Sequence, residues 1–176
     1  MKSGSNIKLY RCRLKQIVKL LKLLISLSLT TITMAANDEM WFTGRIEYEG
    51  FPLLLRFPEE KSDPEFQAAR PKFVSVTHHL SEVTSDGLPE KDYNLSLEDF
   101  DLSIIEACKC IVLVETFAGK RNYYGYVQET FDLEEVMTQL QSSFPEAKLE
   151  WSSKPDPEWT FIKRYAEDFN LYETNN

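Results

Sequence analysis

The chain has 176 residues, with 20 Lys+Arg against 28 Asp+Glu and a net charge of −8. That length suits one domain, and the acidic balance excludes general nucleic-acid binding, which needs basic side chains to replace phosphate counterions. A content of 43% hydrophobic and 12% aromatic residues excludes a disordered chain, and three cysteines are too few for a disulfide framework.

The charge is uneven along the chain. Residues 1–35 carry seven basic side chains and no acid, whereas the remaining 141 carry 13 basic and 28 acidic residues, a net of −15. The basic head runs into an uncharged stretch from Leu23 to Ala36, closed by the small residues around Ala35. This is the pattern of a secretory signal peptide, which predicts export to a periplasmic or secreted location. Two other readings fit the same residues. Translation starting at Met34 would make a cytoplasmic protein. Alternatively, Leu14, Ile17, Val18, Leu21 and Leu24 share one face of a membrane-surface helix. The apolar run is too short for a stable membrane span, which takes about 20 residues.

A single domain is expected over 39–170, followed by a frayed tail at 171–176. Trp41 to Phe57 reads as two strands around a Glu49-Gly50 turn, because Phe51, Leu53, Leu55 and Phe57 alternate and Gly tolerates positive φ. Residues 58–71 are charged, bracketed by prolines, and read as a loop with one helical turn. Lys72 to Leu80 is β-branched and reads as a strand. Ser96 is the expected N-cap of a helix. Glu98, Asp99 and Asp101 suit its first turn, Leu95 and Phe100 form a staple, and the helix ends near Lys109. Cys110 to Phe117 is strongly apolar, the mark of a strand buried on both faces. A turn at Gly119-Lys120 leads into a tyrosine-rich strand, Asn122 to Gln128. Asp132 caps the next helix, which stops at Pro145. Lys148 to Ser152 forms a short strand. Asp156 then caps a last helix with Pro157 at its first position and Trp159, Ile162, Ala166 and Phe169 on one stripe. The order β-β-β-α-β-β-α-β-α predicts an α+β fold: a single, mostly antiparallel sheet with helices packed on one face.

Several of these pieces occur together in a known family. The opening Trp41 strand, the Asp86-Gly87-Leu88-Pro89 segment, the aromatic hairpin strand, Ser143-Phe144-Pro145 and Asp156-Pro157-Glu158-Trp159 resemble DUF695, a family of uncharacterised bacterial domains. The resemblance spans Glu39 to Phe169. In place of the family's usual Tyr-x-x-x-Leu-Tyr-Pro ending, this chain reads Phe161-Ile162-Lys163-Arg164-Tyr165. The resemblance implies a fold and no agreed activity. Some members resemble, or occur beside, a type B regulator of ribonuclease E, which implies a protein-binding regulatory role by analogy. An exported protein would not meet a cytoplasmic ribonuclease.

No phosphate-binding glycine loop, nucleophile elbow or metalloprotease motif is present. His78 and His79 are adjacent on a strand and face opposite sides, so they do not ligate one metal together. Cys108-x-Cys110 lacks redox or zinc spacing. Tyr124 and Tyr126 share a face with Tyr123 opposite. As an exposed pair they suit an interface, and the plainer reading packs them beneath a helix. Asp156 and Glu158 are paired acids, explained by capping. The Asn94-Leu95-Ser96 sequon has meaning only in a glycosylating host. No cofactor and no metal are expected. The reading that follows is a non-enzymatic protein-binding or regulatory module whose acidic surface attracts a basic protein partner. The alternative is a small ligand-binding protein or hydrolase. Its pocket would lie near the tyrosine strand, with Arg45, Arg56, His78, Tyr124 and Tyr126 as binding residues. An immunity or inhibitor protein is a third possibility.

Overall fold

The structure, a computed structural model, describes residues 41–59, 63–169 and 171. The signal-peptide, alternative-start and surface-helix readings fall on residues outside these. All described residues belong to the unit Glu39–Asn176.

Six strands form one antiparallel sheet: β1 (Trp41–Tyr48), β2 (Phe51–Pro58), β3 (Lys72–His79), β4 (Ile111–Phe117), β5 (Lys120–Val127) and β6 (Lys148–Pro155). Their spatial order is β1-β2-β4-β5-β3-β6. The two hairpins turn as local chemistry dictates. Glu49 and Gly50 have φ of 52° and 81°, and Ala118 and Gly119 have 47° and 78°. Two successive positive φ values match the right-handed twist of the flanking strands. The second turn thus sits one residue earlier than the expected Gly119-Lys120, and Lys120 already pairs with Phe117. β4 is buried along most of its length, as its apolar run demands. A bulge between Ile111 and Leu113 shifts the register there. Gly125 lies beneath the Cys110 carbonyl at this point. A Cβ on it would come within 2.6 Å of that oxygen, so only glycine fits.

Among the described residues, five helices accompany the sheet: α1 (Pro64–Ala68), α2 (Lys91–Ser96), α3 (Glu98–Cys108), α4 (Leu133–Ser143) and α5 (Thr160–Phe169). The α+β class and the antiparallel sheet are as the sequence predicts. The placement of all helices on one face is not. α3 and α4 pack over Val74, Val76, Val114 and Tyr123. α5 packs over the other face, on Leu53, Leu55, Phe73 and Tyr126. The reason lies in the strands: β3, β4 and β5 bury apolar side chains on both sides, so both sides need a cover.

Two helix starts differ from expectation. Ser96 is not an N-cap, since its hydroxyl donates back to the Tyr93 carbonyl at 2.7 Å. The chain bends at Leu97, which is buried, while Leu95 is 61% exposed and staples nothing. Burying Leu97 outweighs the cap preference of the serine beside it. Asp156 does cap the last helix, accepting from the Thr160 and Phe161 N–H groups at 2.9 and 3.0 Å. That helix, however, begins three residues later than Pro157. Trp159 takes a φ of 55°, stacks on Tyr126 with centroids 4.0 Å apart, and donates its indole N–H to the Arg70 carbonyl at 2.9 Å. Stacking and a satisfied indole offset the backbone strain of a non-glycine residue in this region.

Candidate functional site

Two carboxylates organise the polar groups of the sheet, one on each face. On the α3 face, Asp101 projects from the first turn of α3. Arg121 of β5 binds both its oxygens, at 3.0 and 2.9 Å, and Arg56 of β2 binds one at 2.7 Å. The Tyr123 hydroxyl donates to the same carboxylate. Arg121 also donates to the Asn94 side-chain oxygen at 2.6 Å and to the Thr116 hydroxyl at 3.2 Å. The Arg121 side chain is 7% exposed and that of Arg56 is 40% exposed. A buried guanidinium and carboxylate are tolerated together because each supplies the other's missing solvation. Burial, then the Asp101 charge, push the Tyr123 hydroxyl well above its ordinary pKa, so it stays a donor.

His78 borders this cluster. It is buried against the Phe100 ring, with centroids 4.7 Å apart, and pairs across the strands with Arg121. Its Nδ1 is buried with no hydrogen-bond partner. Burial first, then the Arg121 guanidinium, lower its pKa, against an opposing pull from Asp101 and with a small further push from His79. A neutral, half-orphaned imidazole follows.

On the α5 face, Glu115 of β4 accepts, among the described residues, only from neutral donors. Tyr165 of α5 donates to Oε2 at 2.5 Å, Asn122 donates to Oε1 at 2.6 Å, and Tyr124 reaches Oε1 at 3.4 Å. Burial, then the hydrogen bond its hydroxyl donates to Glu115, raise the Tyr165 pKa. Burial, then the Glu115 charge, raise that of Tyr124. Both therefore remain O–H donors. Rings crowd around this carboxylate. Tyr165 stands 4.6 Å from Phe169, which stands 6.0 Å from Tyr48, which stands 5.6 Å from Phe117. Phe42, Tyr48 and Phe51, at the adjoining sheet edge, are 43–45% exposed.

The structure does not bring the five sequence-predicted residues together. Arg45, Arg56 and His78 fall on the α3 face by strand register, whereas Tyr124 and Tyr126 lie on the α5 face. β4 also separates the first hairpin from the tyrosine strand. The sheet itself thus stands between the halves of the expected pocket. Tyr126 is fully buried and donates to Asp156 at 2.7 Å. His78 and His79 face opposite sides, as alternation predicts, and His79 lies 3.0 Å from Glu150. Cys108 and Cys110 are buried in different clusters, one under each face. Burial, then Cys110, push the Cys108 thiol up to about 12, so it stays protonated. Open concavities of about 450, 420 and 370 Å³ lie at the surface, and of the five residues only Arg45 lines any of these.

Asp101, Arg121, Glu115 and Tyr165 were not singled out by sequence reasoning. Asp101 is masked by its credible role at a helix N-terminus. Glu115 carries one visible signal: it is an acid interrupting an otherwise apolar strand. Among the described residues no group of three or more His, Cys, Asp or Glu is placed to hold a metal ion, and no helix is long and apolar enough to cross a membrane.

Fold and polar groups together define an α+β domain with one closed charge cluster and one carboxylate set among aromatic rings. Residues 39–165, more than half of the chain, match a family of unknown function, DUF695, and the chain belongs to that family. No curated protein and no solved structure matches it.

Proposed function

We propose that this domain is a non-enzymatic binding or regulatory module that receives a basic protein partner on its α5 face. The observation that carries this reading is the set of exposed aromatic rings on the α5 side of the first hairpin: Tyr48 and Phe51, paired beside its turn, and Phe42 near its other end. Exposed aromatic rings on one face of a hairpin favour contact with another macromolecule, where Tyr and Phe bury large area at low entropic cost. The acidic excess of residues 36–176 favours a basic partner by steering its approach. The strongest ionisable cluster, around Asp101, has its charges engaged with one another and is poorly suited to acid–base work on a substrate.

The test is capture of partners at low and high salt, with the wild-type protein and with a Phe42→Ser/Phe51→Ser variant. A basic protein retained at low salt, released at high salt and lost with the variant supports the module. Capture that ignores both salt and the aromatic substitutions overturns it.

A further inference from the structure

We infer that Glu115 anchors a site for a lysine side chain presented by a basic segment of a protein partner, an inference that rests on the binding-module reading above. A carboxylate offers about four lone-pair positions. Three are engaged, by Tyr165, Asn122 and Tyr124. The Asn122 amide is held in this orientation because its oxygen accepts from the Thr77 hydroxyl at 2.7 Å. Among the described residues, one acceptor position therefore stays open on a fixed carboxylate.

Among the described residues, no Lys, Arg or His forms an ion pair with Glu115. Lys120, on the same face of β5, pairs across the strands with Phe117 rather than with Glu115. The contrast with Asp101, which holds two guanidiniums, is direct. A half-buried negative charge with only neutral donors gains from a cation that arrives from outside.

The surroundings select the kind of cation. From Tyr165 through Phe169 and Tyr48 to Phe117, ring follows ring at 4.6, 6.0 and 5.6 Å, and Phe117 lies two residues beyond Glu115 on the same strand face. Aromatic faces attract ammonium groups through their quadrupoles. A guanidinium prefers two parallel acceptors, whereas an ammonium on a flexible four-carbon stem is satisfied by a single one. The single open position favours lysine. Tyr48, 43% exposed, keeps the rim of the arc accessible to solvent.

The experiment is a nuclear magnetic resonance titration of the full chain with a capped oligolysine peptide and with its Nε-acetylated counterpart. Oligolysine is expected to shift the Glu115 side-chain carboxyl and the rings of Tyr48, Tyr124 and Tyr165. The acetylated peptide should shift none of them. Glu115→Gln is expected to weaken oligolysine binding roughly tenfold, the loss of one charge-assisted contact. Tyr48→Leu, at an exposed ring, should weaken it several-fold, and it serves as the readout if Glu115→Gln disturbs folding. Shifts that avoid Glu115, equal binding of the acetylated peptide, or undiminished binding by both variants would overturn the lysine site. The two readings fail separately. Partner capture lost in Phe42→Ser/Phe51→Ser but intact in Glu115→Gln and Tyr48→Leu sinks the lysine site and leaves the module. Capture intact in all of them sinks the module.

Discussion

Asp101 and Glu115 are both carboxylates held against the same sheet, and they have been treated in opposite ways. Asp101 has two guanidiniums and a tyrosine hydroxyl, and its chief partner is almost fully buried. Glu115 has two tyrosines and an asparagine and no cation among the described residues. The difference separates structural charge from available charge. A buried pair with matched partners holds the fold, and breaking it strands the survivor. A half-buried acid with neutral donors costs little to keep and retains an attraction for a cation.

Several substitutions would break or sharpen this contrast. The largest effect is expected at the closed cluster. Asp101→Asn leaves the Arg121 guanidinium buried without a countercharge and should cost about 3–5 kcal/mol in urea unfolding. An Asp101→Leu/Arg121→Met double variant should lose less than that single change, because no buried charge is left stranded and the Arg56 side chain, 40% exposed, can turn to water. A single change costing under about 1 kcal/mol would show that the cluster does not hold the fold.

Next comes acid sensitivity. The folded pKa of His78 is depressed, chiefly by burial and then by Arg121. Below about pH 6.5 the unfolded chain therefore takes up a proton that the folded chain refuses. Stability contributed by neutral His78 is present above that pH and falls as the pH drops, by at most about 1.4 kcal/mol per unit for one proton. The groups facing the imidazole are Arg121, Asp101 and the Phe100 ring, with His79 beside it in the chain. His78→Phe should flatten the pH dependence of the unfolding midpoint between about pH 7 and 5. An unchanged slope would place the acid sensitivity elsewhere.

At the open carboxylate the effects are smaller. Glu115→Gln removes the charge but keeps a hydrogen-bonding amide among the same donors, so about 1 kcal/mol of stability should be lost. A loss as large as that of Asp101→Asn would make Glu115 a structural group too. Arg56→Gln should matter least, below about 1 kcal/mol, because its side chain is 40% exposed and Arg121 still holds Asp101. Thermal or urea melts of the four single variants and the double variant side by side would establish the ranking.

Much of the fold was legible. Alternation in Phe51–Phe57, the strongly apolar run of β4, the Glu49-Gly50 turn and the Asp132 cap all act through near neighbours, and each appears where it was expected. The side-by-side alternation of Tyr123 and Tyr124 also sorted them correctly to opposite faces. Ser96 and Pro157 failed as helix starts for the same reason. Leu97 and Trp159, one and two residues on, had burial to gain, and burial overrode the local cap signal. The expected five-residue site failed because residues near in type were divided by the sheet, as with Arg56 and Tyr124.

The amino-acid sequence by itself determined the strands, the turns and which side chains of each strand share a face, because these follow from backbone geometry over two to four residues. Only the tertiary structure decided which face each helix covers and which charges meet. Arg56 reaches Asp101 across 45 positions of chain, and Tyr165 reaches Glu115 across 50. No local propensity encodes contacts at such separations. They are set when the sheet folds both its apolar faces away from water, carrying one acid into a nest of guanidiniums and leaving the other among rings.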